Sequence, residues 1–199
     1  MRGLVPSKVD CDYKREELFR IFKQENFNAL VAFLDKNGGI DAVDEYHRTA
    51  LMNCIIERNN TMYKFDKTMK PFVYLDKFAE KLIKLGADIN KTDKTNYAAI
   101  HFCIQNRNIE ILDVLLSHQN INLNLEMDLL MFLFGKDITN FKLMMRLIEM
   151  GVDPFQKKDK YPDSFYDTMK QVDDGLITRG KNRDRINVKP IMDFMDKLH

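Results

Sequence analysis

The chain has 199 residues, 45% of them hydrophobic, which fits one compact domain or a repeat array of that size and excludes wholesale disorder. Thirty-one Lys and Arg against thirty Asp and Glu leave a formal net charge of +1, so no broad field exists to steer a nucleic acid or an anionic membrane surface. No apolar run reaches the roughly 18 residues of a membrane span. Five prolines and eight glycines argue against a many-turned β-protein, and twelve methionines point to adaptable apolar packing in a core or on a recognition surface.

The N-terminal stretch MRGLVPSKVDCDYKREE lacks the apolar core of a secretory signal, and residues 1–14 read as a flexible leader or a cloning scar. Beyond it the sequence repeats itself. AFLDKNGGIDAVD (32–44) is an early form of a phrase that returns as KLIKLGADINKTD (81–93), in degraded form as VLLSHQNINLN (114–124), and as RLIEMGVDPFQKKD (146–159). DEYHRTALMNCIIERNN from Asp44 aligns without a gap to DKTNYAAIHFCIQNRN from Asp93, which places Cys54 with Cys103 and Leu51 with Ile100. After Asp93 an apolar run, Ala98–Ile104, and a polar break, Gln105–Asn108, precede a second run, Ile109–Leu116. In that run Ile109, Leu112, Leu115 and Leu116 recur at helical spacing, with Ile111 and Val114 widening the face. Two short helices joined by a tight polar turn account for the unit.

These phrases resemble the ankyrin repeat, a pattern of roughly D-x-x-G-x-T-P-L-H-x-A, a turn, and E-I-V-x-x-L-L-x-x-G-A-D-I-N. The residues that carry the likeness are Asp44 with Thr49-Ala-Leu51, Asp93 with Ile100-His101, Glu110-Ile111 with Leu115-Leu116, and Leu85-Gly86-Ala87-Asp88-Ile89-Asn90. It covers roughly residues 15–172. His47 and Asn96 stand where the hairpin usually has Gly, and Ala98 and Met52 depart from the usual Thr and His. The resemblance implies an all-α ankyrin-repeat solenoid of about five helix-turn-helix units with short hairpin loops. In chain order these are a cap over 15–43, a repeat over 44–92, repeats over 93–124 and 125–157, and a C-terminal cap over 158–199. Ser164 is expected to N-cap the first helix of that last unit, and 188–198 to form its second helix after a polar loop. Each helix pair must stack on its neighbours, so Leu82, Ile83 and Leu85 are expected against Ile111, Leu112, Leu115 and Leu116, and those against Leu143, Met144, Leu147 and Ile148.

The same likeness implies a protein partner, bound along hairpin tips and first helices. That strip would hold Glu45, Tyr46 and Arg48, then Lys94, Thr95 and Tyr97, then Glu126 and Met127, then Lys160, Tyr161 and Asp163, with Gln105 and Asn106 on its floor. Tyr and Arg anchor interfaces most often, because they bury large area and keep a polar handle. From Thr49 to Gly86 the second repeat is about 16 residues longer than the family's usual spacing. The extra segment, 60–74, carries Tyr63, Phe65, Met69, Phe72 and Tyr74 among lysines, as either a second binding surface or a cover over the first repeats.

Nothing in the chain reads as a catalytic site. No HExxH, GxSxG, P-loop or dinucleotide fingerprint occurs. Cys11, Cys54 and Cys103 lack metal-ligand spacing, and Cys54 and Cys103 read as small buried hydrophobes. No cofactor, metal, small-molecule substrate, nucleic acid or membrane is expected. A monomer in the cytoplasm is the default. Small stand-alone ankyrin chains rich in Asn, Lys and Met resemble those that bacteria carry beside polymorphic toxins, which implies toxin neutralisation by occlusion. The alternatives are an effector or scaffold that captures a host or regulatory protein, and an enzyme working through Cys11 or His118.

Overall fold

The computed structural model describes residues 11–58, 73–137, 139–158, 160–175 and 187–198. These form ten α-helices that divide between two compact units, Met1–Ile121 and Asn122–His199.

The first unit contains α1 (Arg15–Phe22), α2 (Phe27–Lys36), α3 (Ala50–Arg58), α4 (Tyr74–Lys84), α5 (Ala99–Asn106) and α6 (Ile109–Leu116). Successive helices pack as pairs, α1 on α2, α3 on α4 and α5 on α6, and neighbouring pairs stack through α3 on α5 and α4 on α6. Helices of 8–11 residues are marginal alone, so their stability comes from these contacts. Asn26 and Asn108 start α2 and α6 by accepting N–H bonds from the first turn. The α4 helix ends where Gly86 takes a left-handed φ of 91°, which lets Gly86 and Ala87 donate back to Ile83 and Leu82.

Between α2 and α3, and between α4 and α5, the chain makes tight hairpins closed by the bridges Val43–Thr49 and Thr92–Ala98. Their tips are His47 at φ 59° and Asn96 at φ 63°, the left-handed conformation expected of residues in a glycine position.

Leu82 and Ile83 are buried as expected, but Leu85 is 58% exposed, because it is the last residue before the Gly86 turn and points off the helix end. Ile109 is 53% exposed at the first position of α6, so the buried row is Ile111, Leu112, Leu115 and Leu116. Residues 12 and 13, expected within the leader, are packed: Asp12 exchanges hydrogen bonds with Val43, and Tyr13 is buried.

The second unit contains α7 (Leu129–Lys136), α8 (Phe141–Glu149), α9 (Phe165–Asp173), α10 (Lys189–Met195) and a 3-10 turn, Asp196–Leu198. Helix α7 packs on α8, and α10 on both α8 and α9. Asp128, Asn140 and Ser164 each accept a first-turn N–H bond and so cap α7, α8 and α9. The unit buries Leu129, Leu130, Phe132, Leu133 and Phe134 of α7, and its methionines Met144, Met169, Met192 and Met195 fill space between helices. Among the described residues no helix is long and apolar enough to cross a membrane.

Candidate protein-binding surface

Each hairpin of the first unit is built around its opening aspartate. Asp44 Oδ1 accepts the N–H groups of Tyr46 (2.8 Å) and Arg48 (2.9 Å), and Oδ2 accepts Asn53 Nδ2 (2.9 Å). Asp93 Oδ1 accepts the N–H of Thr95 (2.8 Å), its hydroxyl (2.6 Å) and the N–H of Tyr97 (3.1 Å). Burial opposes ionisation of Asp93, but these donors and the Arg48 guanidinium outweigh it and hold its carboxyl below the usual range.

Arg48 is expected to face a partner, but the structure commits it to the fold. Its Nε donates to Asp93 Oδ2 at 3.2 Å, and its guanidinium lies 5.2 Å from the ring centres of both Tyr46 and Phe102. It thereby stitches one hairpin to the next. Lys94 adds two links, from its N–H to Tyr46 O and from Nζ to Glu45 O. Tyr97 is half-buried, stacked on His101 at 5.3 Å and edge-on to Phe102. Asn106 donates to Ile55 O (3.3 Å), and Gln105 is exposed.

Tyr46 is the strip tyrosine left open, at 47% exposure. It forms one wall of a cleft of about 520 Å³ with Glu45, Glu57 and the outer face of α1: Arg15, Glu16, Phe19, Arg20 and Lys23. Within the cleft Arg15 pairs with Glu57, and the Arg15 N–H donates to Glu45 Oε2 at 2.9 Å. Burial raises the Glu45 carboxyl, but that N–H bond and the nearby Arg15 and Lys14 charges outweigh it and lower it overall. Lys23 lies over the Phe19 ring at 5.1 Å. The α1 residues of this cleft escaped the sequence reading. Their signal is the row 15, 16, 19, 20, 23, one helix face adjoining the buried Leu18 and Phe22.

In the second unit Glu126 and Lys160 form an exposed ion pair at 3.3 Å, the Tyr161 hydroxyl reaches Met127 Sδ at 3.0 Å, and Asp163 accepts Gln171 Nε2 at 3.0 Å. Glu126 and Lys160 also line a second cleft of about 310 Å³ with Asn124, Leu125, Gln156, Lys157 and Lys158.

Of the insertion residues, Tyr63, Phe65, Met69 and Phe72 lie outside the described residues. Tyr74 opens α4, donates its hydroxyl to Phe22 O (2.7 Å) and meets Phe78 edge-on, so this residue faces the first helix pair. Burial, with Glu25 and Cys54 adding, pushes that hydroxyl up to about 12. The insertion ends are tied down by Asp76, which accepts Arg58 Nε (2.5 Å) and Asn108 Nδ2 (2.8 Å).

Cys54 and Cys103 are buried free thiols, and burial, with Asp76 adding, pushes both up, away from thiolate chemistry. His101 does its work inside the fold: its Nδ1 accepts the Ala98 N–H at 3.0 Å. His118 Nδ1 likewise accepts the Asn120 N–H in a turn.

Paired helices, with aspartate-opened hairpins and left-handed tips in the first unit, make the described residues an all-α ankyrin-repeat fold. The family model for ankyrin repeats matches residues 76–116. The chain is also similar to inversin of Danio rerio, 32% identical over 90 residues; the match covers 45% of this chain and 7% of that protein.

Proposed function

We propose that the chain is a non-enzymatic module that binds another protein through the hairpin edge of its repeats, with the α1 cleft and Tyr46 as the anchor of the first unit. The observation that carries this reading is an exposed aromatic ring on a rigid mount. Tyr46 sits two residues after a buried aspartate, in a loop whose amides that aspartate holds, and opposite a half-buried Phe19. A ring held in place loses little conformational freedom on binding, so its buried area converts well into affinity. Of the other strip residues, Arg48 and Lys94 help to hold that mount, through the Tyr46 ring and its carbonyl.

The narrow form of this reading is occlusion of a toxin by a cytoplasmic monomer, and the broader form is capture of a host or regulatory protein. The vertebrate relative offers no support for the bacterial form.

Affinity capture from native cells with the intact chain and with Tyr46→Ala tests the site, with thermal melting to show that both fold. A protein retained by the intact chain and lost with Tyr46→Ala supports the cleft. Equal retention by both overturns it.

A further inference from the structure

The two clefts differ in charge. In the α1 cleft three cations face three carboxylates, and the Arg15–Glu57 pair and the Glu45 bond to the Arg15 N–H satisfy the deepest of them. In the second cleft Lys157, Lys158 and Lys160 face Glu126, a local excess of +2, and +1 when Asp159 of the same loop is counted from the sequence. The α1 cleft, counted in the same way, sums to zero.

The lysines are also held differently. Lys158 Nζ donates to Leu125 O at 2.5 Å and Asn124 Oδ1 at 3.0 Å, neutral acceptors that orient the ammonium without cancelling its charge. Lys160 spends its charge on Glu126. Lys157 is exposed and has no partner among the described residues.

From this we infer that the second-unit cleft receives an acidic segment of the protein partner, its carboxylates meeting Lys157 and Lys158. The inference rests on the binding reading above and adds the partner's chemistry. A carboxylate-bearing segment fits because an ammonium held by neutral acceptors and an exposed one without a partner among the described residues line the same cleft. Lys158 is half-buried, where Coulomb attraction is stronger than in bulk water.

The probes are a short alternating Glu-Ala peptide, its Lys-Ala counterpart and an oligothymidylate of similar charge, titrated by fluorescence anisotropy against the full chain at low and physiological salt. The Glu-Ala peptide should bind, more weakly as salt rises. Lys157→Glu, at an exposed position, should weaken it about tenfold, whereas Lys142→Glu, exposed and outside both clefts, should leave it within about twofold. Equal binding of the Lys-Ala peptide, preference for oligothymidylate, or unchanged affinity of Lys157→Glu each overturns the inference. The captured partner separates the two claims: loss with Tyr46→Ala but full retention by Lys157→Glu sinks the acidic segment and leaves the binding module standing.

Discussion

Hairpin 44–49 and hairpin 93–98 occupy the same frame, and in both a buried aspartate gathers the loop amides. They diverge in how the rest of the loop is held. In the first, Thr49 Oγ1 accepts the Met52 N–H at 3.3 Å, and Asn53 reaches the second oxygen of Asp44. In the second, Ala98 has no hydroxyl, so His101 accepts the Ala98 N–H from the opposite end of the turn, and Arg48 of the preceding hairpin takes the second oxygen of Asp93. Met52 stands in the place of His101, and Asn53 in the place of Phe102. The Asp44 carboxylate is therefore satisfied by donors of its own repeat, while that of Asp93 also takes Arg48 from its neighbour. The local solution leaves a trace: Asn53 Oδ1 is buried with no hydrogen-bond partner among the described residues.

That contrast can be broken in order of size. Asp93→Ala removes three loop donors' acceptor and the partner of Arg48, and should cost about 3 kcal/mol. Asp44→Ala should cost about 2 kcal/mol, since only neutral donors lose their acceptor. Urea midpoints at constant slope measure both, and equal costs would erase the distinction between a carboxylate satisfied within its repeat and one that also holds its neighbour. Asp93 also sets an acid dependence. Its folded carboxyl lies below the unfolded value near about 4, so its contribution is complete above that value. The contribution is lost as pH falls through the folded value. Asp93→Asn should therefore flatten the fall in stability below about pH 4; an unchanged acid limb would place the acid sensitivity elsewhere.

His101→Met, which copies Met52 into the second hairpin, should cost about 2 kcal/mol because the buried Ala98 N–H loses its acceptor. A neutral result in a thermal melt would mean that the imidazole only fills space. The hydroxyl swap is smaller and has opposite signs. Thr49→Ala should lose about 1 kcal/mol and Ala98→Thr should gain about as much by adding a helix cap. A loss at both positions would show that Ala98 sits too tightly to accept the larger side chain.

The smallest effect lies at the tips. His47→Gly should gain about 0.5 kcal/mol, because relief from the left-handed backbone exceeds the added chain entropy, while Asn96→Gly should change little.

Much of the architecture was legible because its signals are local. Helical spacing located α5 and α6, Ser164 announced the start of α9, and the glycine positions of the hairpin frame anticipated a left-handed backbone at His47 and Asn96. The helix ends were less legible. Ile109 and Leu85 satisfy the apolar period, yet each sits where its helix begins or stops, beyond the reach of the neighbour that would cover it. Spacing tells which residues share a face but not how far the adjoining helix extends.

The candidate surface shows the same division. The sequence by itself determined the all-α repeat class, the hairpins and the pair of buried cysteines, since each follows from residues within one repeat. The tertiary structure alone decided that Arg48 serves the fold, that Tyr13 belongs to the core, and that the outer face of α1 meets Tyr46 across a cleft. Those outcomes depend on side chains distant in sequence: 45 residues separate Arg48 from Asp93, and 42 separate Arg15 from Glu57. A guanidinium and an aromatic ring look alike in sequence whether they face a partner or a neighbouring loop, and only the stacking of one repeat on the next settles which.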